Sequence, residues 1–295
     1  AESSPIIAVY GMGLQGWDAS YVFATDFPRY TPTIHAGGGG IYNATSPTQM
    51  ALYPSLARMI YRGDVKEGET VVNRKVDLTS LLKGATPLNE TVRQDFDRKV
   101  MEGSFPLQLM AAGKVNLSFA EENKTELMDG LSSLWKDSAM HSTTGQLVWS
   151  EKGKGFFTIN TTGTKGFVGF TKNETLTLGE VVLKTDNEFA VVLITSLDHE
   201  KGIDTSSKLL ITTIARAQNQ GMKFNSERTE LLERGQAPVL LEPVSLQISI
   251  DRKTKPTITA LDHSGRKTSQ TIPSDNQWIT LDGAKTRSIY YLVEY

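Results

Sequence analysis

The residues best equipped for chemistry gather early in the chain. The stretch "ATDFPRYTPTIHAGGGG", residues 24–40, follows Phe23 and carries Asp26, Arg29, Tyr30 and His35. It belongs to a loop running from Thr25 to about Thr45, and a loop that long inside a compact domain is either functional or disordered. The glycines at 37–40 are not followed by Lys-Ser/Thr. They form no Gly-x-Gly-x-x-Gly turn between strand and helix, so a phosphate cradle is not expected. The four histidines (35, 141, 199, 263) are scattered, without His-Glu-x-x-His or His-x-His, and no Gly-x-Ser-x-Gly is present. No metal and no cofactor is therefore expected. "LDHE" at 197–200 reads as a turn. "RGD" at 62–64 reads as a helix stop and a turn, not as an adhesion signal. Trp278 reads as a core residue of the last sheet, with sugar stacking as the alternative. Arg216, Asn219, Asn225 and Arg228 form a polar cluster after a buried strand, either an interface or a structural network.

The elements around the loop carry clear signals. In "SSPIIAVYGMGLQG", Ser4 suits an N-cap and Pro5 a first helical position. Ile6, Ile7, Tyr10 and Leu14 share a face at helical spacing, and Gly16 is the stop. In "SPTQMALYPSLARMIYRG", Ser46 and Gln49 make a capping-box pattern. Met50, Tyr53, Leu56, Ala57 and Ile60 form the apolar stripe, and Arg58 and Arg62 suit the negative end of the helix dipole. Pro54 should kink this helix or displace its start. Between the helices, Trp17 to Ala24 predicts a buried strand. "VVNRKVDLTSLL" predicts a strand leading to a short helix. "NETVRQDFDRKVMEG" and "NKTELMDGLSSLWKD" predict short amphipathic helices or turns. From about Thr144, runs such as 146–150, 155–160, 166–170, "EVVLKT", "FAVVLITSL", "SKLLITTI", "VSLQISI", "TITALDHSG" and "IYYLVEY" predict antiparallel strands of a sandwich or barrel. "ALDHSG" predicts a hairpin turn formed by Asp262, Ser264 and Gly265.

Composition narrows the functional classes. The chain has 295 residues, net charge −2 and no cysteine. That charge argues against nucleic acid or an anionic membrane as partner, and no apolar run approaches the ~20 residues of a bilayer span. Stability must come from packing rather than from disulfides. The start, AESSPII, lacks a basic leader region. Six of the eleven asparagines lie in Asn-x-Ser/Thr sequons (43, 89, 116, 123, 160, 173); they read as turn markers of a Thr-rich β protein, with glycosylation as the alternative.

A buried strand between two apolar helices belongs to α/β folds. "IIAVYGMGLQGWDASYVFAT" resembles the seventh helix and eighth strand of the (β/α)8 barrel of clan A glycoside hydrolases. "SPTQMALYPSLARMIYRGDV" resembles the helix that closes such a barrel. The later strands are similar to the β-sandwich accessory region of large glycosidases. The fold class expected is thus mixed: the last βα elements of a (β/α)8 barrel, residues 1–68, then a mainly antiparallel β-sandwich region, residues 69–295. A retaining glycosidase needs two carboxylates ~5 Å apart. The resemblance implies that both lie in barrel segments preceding this sequence, so that the barrel segment and a carbohydrate substrate are the partners, and the protein is secreted or periplasmic. It also implies that the loop after the eighth strand faces substrate. Phe23 or Tyr30 would stack on a sugar ring, and Asp26, Arg29 and His35 complete the candidate set, Asp26 and His35 as partners for sugar hydroxyls. A self-contained, non-catalytic carbohydrate-binding or adhesion module is the alternative. The two differ in whether helices 5–15 and 47–62 pack on absent barrel elements or on the sandwich.

Overall fold

The computed structural model describes residues 2–22, 32–34, 46–84, 89–92, 99–102, 105–274 and 278–295. Among these, strands dominate and nearly all pair antiparallel. Ten of them form one sheet, in the spatial order Lys267–Ile272, Thr257–Leu261, Tyr290–Glu294, Lys208–Ile214, Ala190–Ser196, Thr164–Gly169, Phe156–Asn160, Leu147–Ser150, Ala139–His141 and Trp135–Lys136. A second sheet of four strands has the order Leu176–Leu178, Val181–Thr185, Ser245–Ile250 and Ile279–Asp282. Their apolar faces meet in one core: Leu183, Leu246, Ile248 and Leu281 on one side, Phe167, Val192, Ile194, Ile211, Tyr291 and Val293 on the other. This is the sandwich-like arrangement that the alternating runs predict.

The large sheet is covered on its second face as well. Successive strand residues point to opposite faces. Accordingly Val191, Leu193, Val168, Leu210 and Leu292 belong to a second core, built with Val9, Tyr10, Leu14, Leu52, Leu56 and Met59 from the N-terminal helices. Every residue of Ala190–Ser196 is buried for this reason. The N-terminal helices are fastened to the sheet by hydrogen bonds too. Ser55 Oγ and Thr212 Oγ1 lie 2.8 Å apart, and the Tyr290 hydroxyl donates to the Ala51 carbonyl at 2.7 Å.

Several N-terminal expectations are corrected. Residues 17–22 form no strand, and Trp17, Tyr21 and Val22 are exposed. The chain turns back at Gly16 (φ +73°), and the Trp17 N–H donates to the Gly11 carbonyl instead of entering a ladder; residues 23 and 24 lie outside the described residues. The first helix, Ile7–Leu14, is wound as a π-helix closed by Gln15 N–H to Tyr10 O at 2.8 Å. Its buried set is therefore Ala8, Val9, Tyr10 and Leu14, with Ile7 partly exposed. Neither Ser4 nor Ser46 caps its helix through its side chain. Pro54 displaces the start of the second helix: a short α1, Pro47–Met50, is followed by α2, Tyr53–Arg62. The restart rotates the buried stripe to Leu52, Ser55, Leu56 and Met59 and leaves Met50 and Ile60 outside. Gly63, at φ +65°, ends α2 as expected.

Thr70–Asp77 and α3, Leu78–Leu82, form where predicted, with the Asp77 carboxylate accepting from the N–H groups of Thr79 and Ser80. That strand runs parallel to Lys114–Ala120 and antiparallel to Lys124–Leu127. Asn89–Val92 and Lys99–Glu102 pair as strands, and 124–127 is also a strand, where helices or turns were expected. Ladder partners far along the chain decide those segments over local periodicity. The hairpin at 262–265 matches its prediction: Asp262 Oδ1 accepts from the N–H groups of Ser264 and Arg266, and Gly265 has φ +80°.

Candidate functional site: an aromatic groove

Phe23, Asp26, Arg29, Tyr30 and His35 all lie outside the described residues. The segment 32–34 between them is held firmly. Asn219, buried, accepts from the Ile34 N–H at 2.7 Å and donates to the Ile34 carbonyl at 3.0 Å and the Arg234 carbonyl at 2.8 Å. The polar cluster of 216–228 is thus a structural network here. Arg216 lies over the rings of Phe170 and Phe189, Asn225 caps its own turn, and Arg228 lies over Phe224.

A concave site with an aromatic lining lies elsewhere, where the π-helix meets the edge of the large sheet. It is a groove of about 600 Å³ whose walls include Tyr10, Trp17, Leu107, Met110, Trp135 and Trp149. Its floor is an aromatic stack. Trp149 and Phe157 are nearly parallel at 5.7 Å (14°), and the Tyr10 ring meets each edge-on at 5.4 Å. Trp149 shares a strand face with Leu147, as its spacing predicts, and is half-buried. Trp17 supplies one wall. Gly11 leaves room for it: a Cβ there would sit 2.6 Å from the indole. One face of the ring is laid on the helix, and about half of the residue is exposed. Trp135 is partly exposed at the end of the sheet.

Gln15 sets the spacing of the walls. Its amide donates to the carbonyls of Met110 (2.9 Å) and Gly113 (2.7 Å) and accepts from the Val115 N–H at 3.0 Å. These bonds tie the π-helix to the 3₁₀ turn Leu107–Ala111 and to strand Lys114–Ala120. Among the described residues of the lining, the Tyr10 phenol is the one ionisable side chain, and Gln15 and Gln108 are the polar groups. The Tyr10 hydroxyl is buried without a hydrogen-bond partner among the described residues, and burial pushes its pKa far above the ordinary phenol value. Such a surface suits flat, C–H-rich, uncharged ligands.

Proton-transfer chemistry has no comparable support. Among the described residues, every carboxyl group with a displaced titration moves downward. Lys75 and Lys124 hold Glu126 at about 2, Lys172 lowers Glu188, and Lys267 lowers Glu294. Backbone donors lower Asp198 and Asp262, and Lys285 lowers Asp282. A general acid at neutral pH needs a shift in the opposite direction. Among the described residues, no group of His, Asp and Glu is arranged to hold a metal ion, and no helix is long and apolar enough to cross a membrane.

None of Trp17, Trp135 and Trp149 is among the candidate residues that the sequence offers. Trp135 lies in "NKTELMDGLSSLWKD", where no periodicity announces a wall of a site. No protein family, curated protein or solved structure matches the chain.

Proposed function

We propose that this chain binds saccharides through the aromatic groove, as the non-catalytic β-sandwich portion of a polysaccharide- or oligosaccharide-active glycoside hydrolase. The observation that carries the reading is the set of three indoles and one phenol around an uncharged groove. Pyranose rings present C–H faces that pack on indoles, and Gln15 and Gln108 offer partners for hydroxyls. The glycosidase context rests on the resemblance of residues 6–25 and 46–65 to the end of a clan A barrel. In this reading the acid and nucleophile belong to barrel residues beyond this sequence, and a polymeric substrate places the protein in the periplasm or outside the cell.

One observation favours a self-contained binding or adhesion module instead. The buried faces of the N-terminal helices are satisfied by the chain's own sheet, leaving Ile7, Met50, Ile60 and Tyr61 as their exposed large apolar residues. Tryptophan fluorescence titration and gel retardation against neutral oligosaccharides test the shared claim. Binding should perturb the emission, and Trp17→Ala and Trp135→Ala should each weaken it about tenfold, or ~1.4 kcal/mol. Absence of binding across the panel, or variants that bind like the parent, overturns it. Hydrolysis by this chain alone would contradict its non-catalytic part.

A further inference from the structure

A second pocket lies where the chain crosses between the sheets, at the ends of strands Ser245–Ile250, Thr257–Leu261, Ile279–Asp282 and Tyr290–Glu294. Its volume is about 110 Å³, which suits a small group rather than a sugar ring, and its lining includes Arg252, Lys253, Lys255, Ser274, Trp278 and Tyr295. Two aromatic rings hold cations in place. The Arg252 guanidinium lies 3.5 Å from the centre of the Tyr295 ring, and its Nη1 donates to the Ser206 carbonyl at 2.6 Å. The Lys184 ammonium lies 5.0 Å over the Trp278 ring. Lys253 and Lys255 are exposed on the crossing loop. Most lysines that pair elsewhere on the molecule meet a carboxylate within 4 Å, as Lys75, Lys172, Lys223 and Lys267 do. Arg252, Lys184, Lys253 and Lys255 have no such partner among the described residues.

A cation cluster on a chain of net charge −2 is a local field that the composition does not explain, and such a field concentrates anions. Arg252 is pre-ordered by its ring and carbonyl contacts, so a bound anion would cost little side-chain entropy there. We propose that this pocket binds the oxyanion group of an acidic saccharide, a uronate carboxylate or a sulfate ester, while the uncharged groove binds neutral sugar faces. The proposal rests on the saccharide-binding reading above and adds the substrate class to it.

The test compares a uronate-containing oligosaccharide, a sulfated neutral oligosaccharide and an unmodified neutral one of equal length. Each is titrated at ~20 and ~200 mM salt, because such attractions weaken as the Debye length shrinks. At least one acidic arm should bind about tenfold tighter than the neutral one at low salt, and the gain should fall with salt. The two acidic arms decide between carboxylate and sulfate. In the variant K253Q/K255Q, at two exposed loop positions, the preference should vanish while neutral affinity stays. Equal affinity for acidic and neutral chains, or a preference that survives in the variant, overturns this proposal and leaves the groove intact. Failure of all three oligosaccharides to bind overturns the saccharide reading itself.

Discussion

At the scale of single residues, side chains are committed by their partners more than by their motifs. The Arg-Gly-Asp triplet is an example. Arg62 grips the Asp64 carboxylate through two nitrogens at 2.6 and 2.7 Å and also donates to the carbonyls of Ser196 and Gly163. Asp64 accepts from Thr164 Oγ1 at 2.6 Å and is almost fully buried. Gly163 must be glycine, since a Cβ there would run into the guanidinium. The expected stop at Gly63 was legible; the pairing across the sheet was not, because its partners lie about a hundred residues away. Arg62→Ala would leave a buried, unpaired carboxylate, so it should cost about 3–5 kcal/mol in a denaturant titration. An effect below about 1 kcal/mol would mean that Asp64 reaches solvent. Tyr10 makes the opposite case. Its hydroxyl is buried without a partner among the described residues, so Tyr10→Phe should be neutral or stabilising by up to about 1 kcal/mol. Gly11→Ala acts on the site rather than on stability: a Cβ would press into the Trp17 ring. It should shift tryptophan emission and weaken saccharide binding, and an unchanged spectrum would show that the indole does not lie on Gly11.

At the scale of elements, the reading of the later strands succeeded because period-2 alternation and turn chemistry act locally. "ALDHSG" specifies its own hairpin through Asp262 and Gly265. The reading of 17–24 failed where it can be checked, at 17–22, because an apolar run says that a segment is attractive to a core, not that a ladder awaits it. The same ambiguity hides the coverage of Ala190–Ser196. A run buried throughout is common in parallel α/β sheets, yet here the sheet is antiparallel, with helices on one face and a second sheet on the other. Leu193 faces the helices and Ile194 the second sheet. Leu193→Ala and Ile194→Ala should therefore cost alike, about 2–5 kcal/mol each. A Leu193→Ala cost below about 1 kcal/mol would place the helices off the sheet. The candidate loop residues Phe23 to His35 were legible only through a resemblance. Those residues lie outside the described ones. The aromatic groove was not legible, because Tyr10, Trp135 and Trp149 are brought together from distant positions by a π-helix that no 3.6-residue periodicity anticipates.

At the scale of the molecule, two forces can be separated by experiment. The displaced carboxylates Glu126, Glu188, Asp198, Asp262, Asp282 and Glu294 titrate below their ordinary range in the folded chain. The folded state thus binds fewer protons than the unfolded one, and their contribution is complete above the unfolded pKa values near ~4 and lost as pH falls towards ~2. All are at the surface, so the acid loss should be small and should shrink further in high salt. The larger force is apolar. Leu147, Phe157, Ile159, Val191 and Leu193 are buried against Val9, Leu14, Leu52, Leu56 and Met59, and each large side chain so covered contributes about 1.5–3 kcal/mol. A division at residue 68 cuts through this core rather than between two cores. Gln15 reinforces the join through the carbonyls of Met110 and Gly113. Residues 69–295 expressed alone should therefore aggregate or bind a hydrophobic dye, because one face of the ten-stranded sheet would lie bare. Adding residues 1–68 as a separate peptide should restore solubility. If instead 69–295 is soluble and unfolds cooperatively at the temperature of the whole chain, the helices are an ornament on a finished sandwich, and their place in a neighbouring barrel regains its claim.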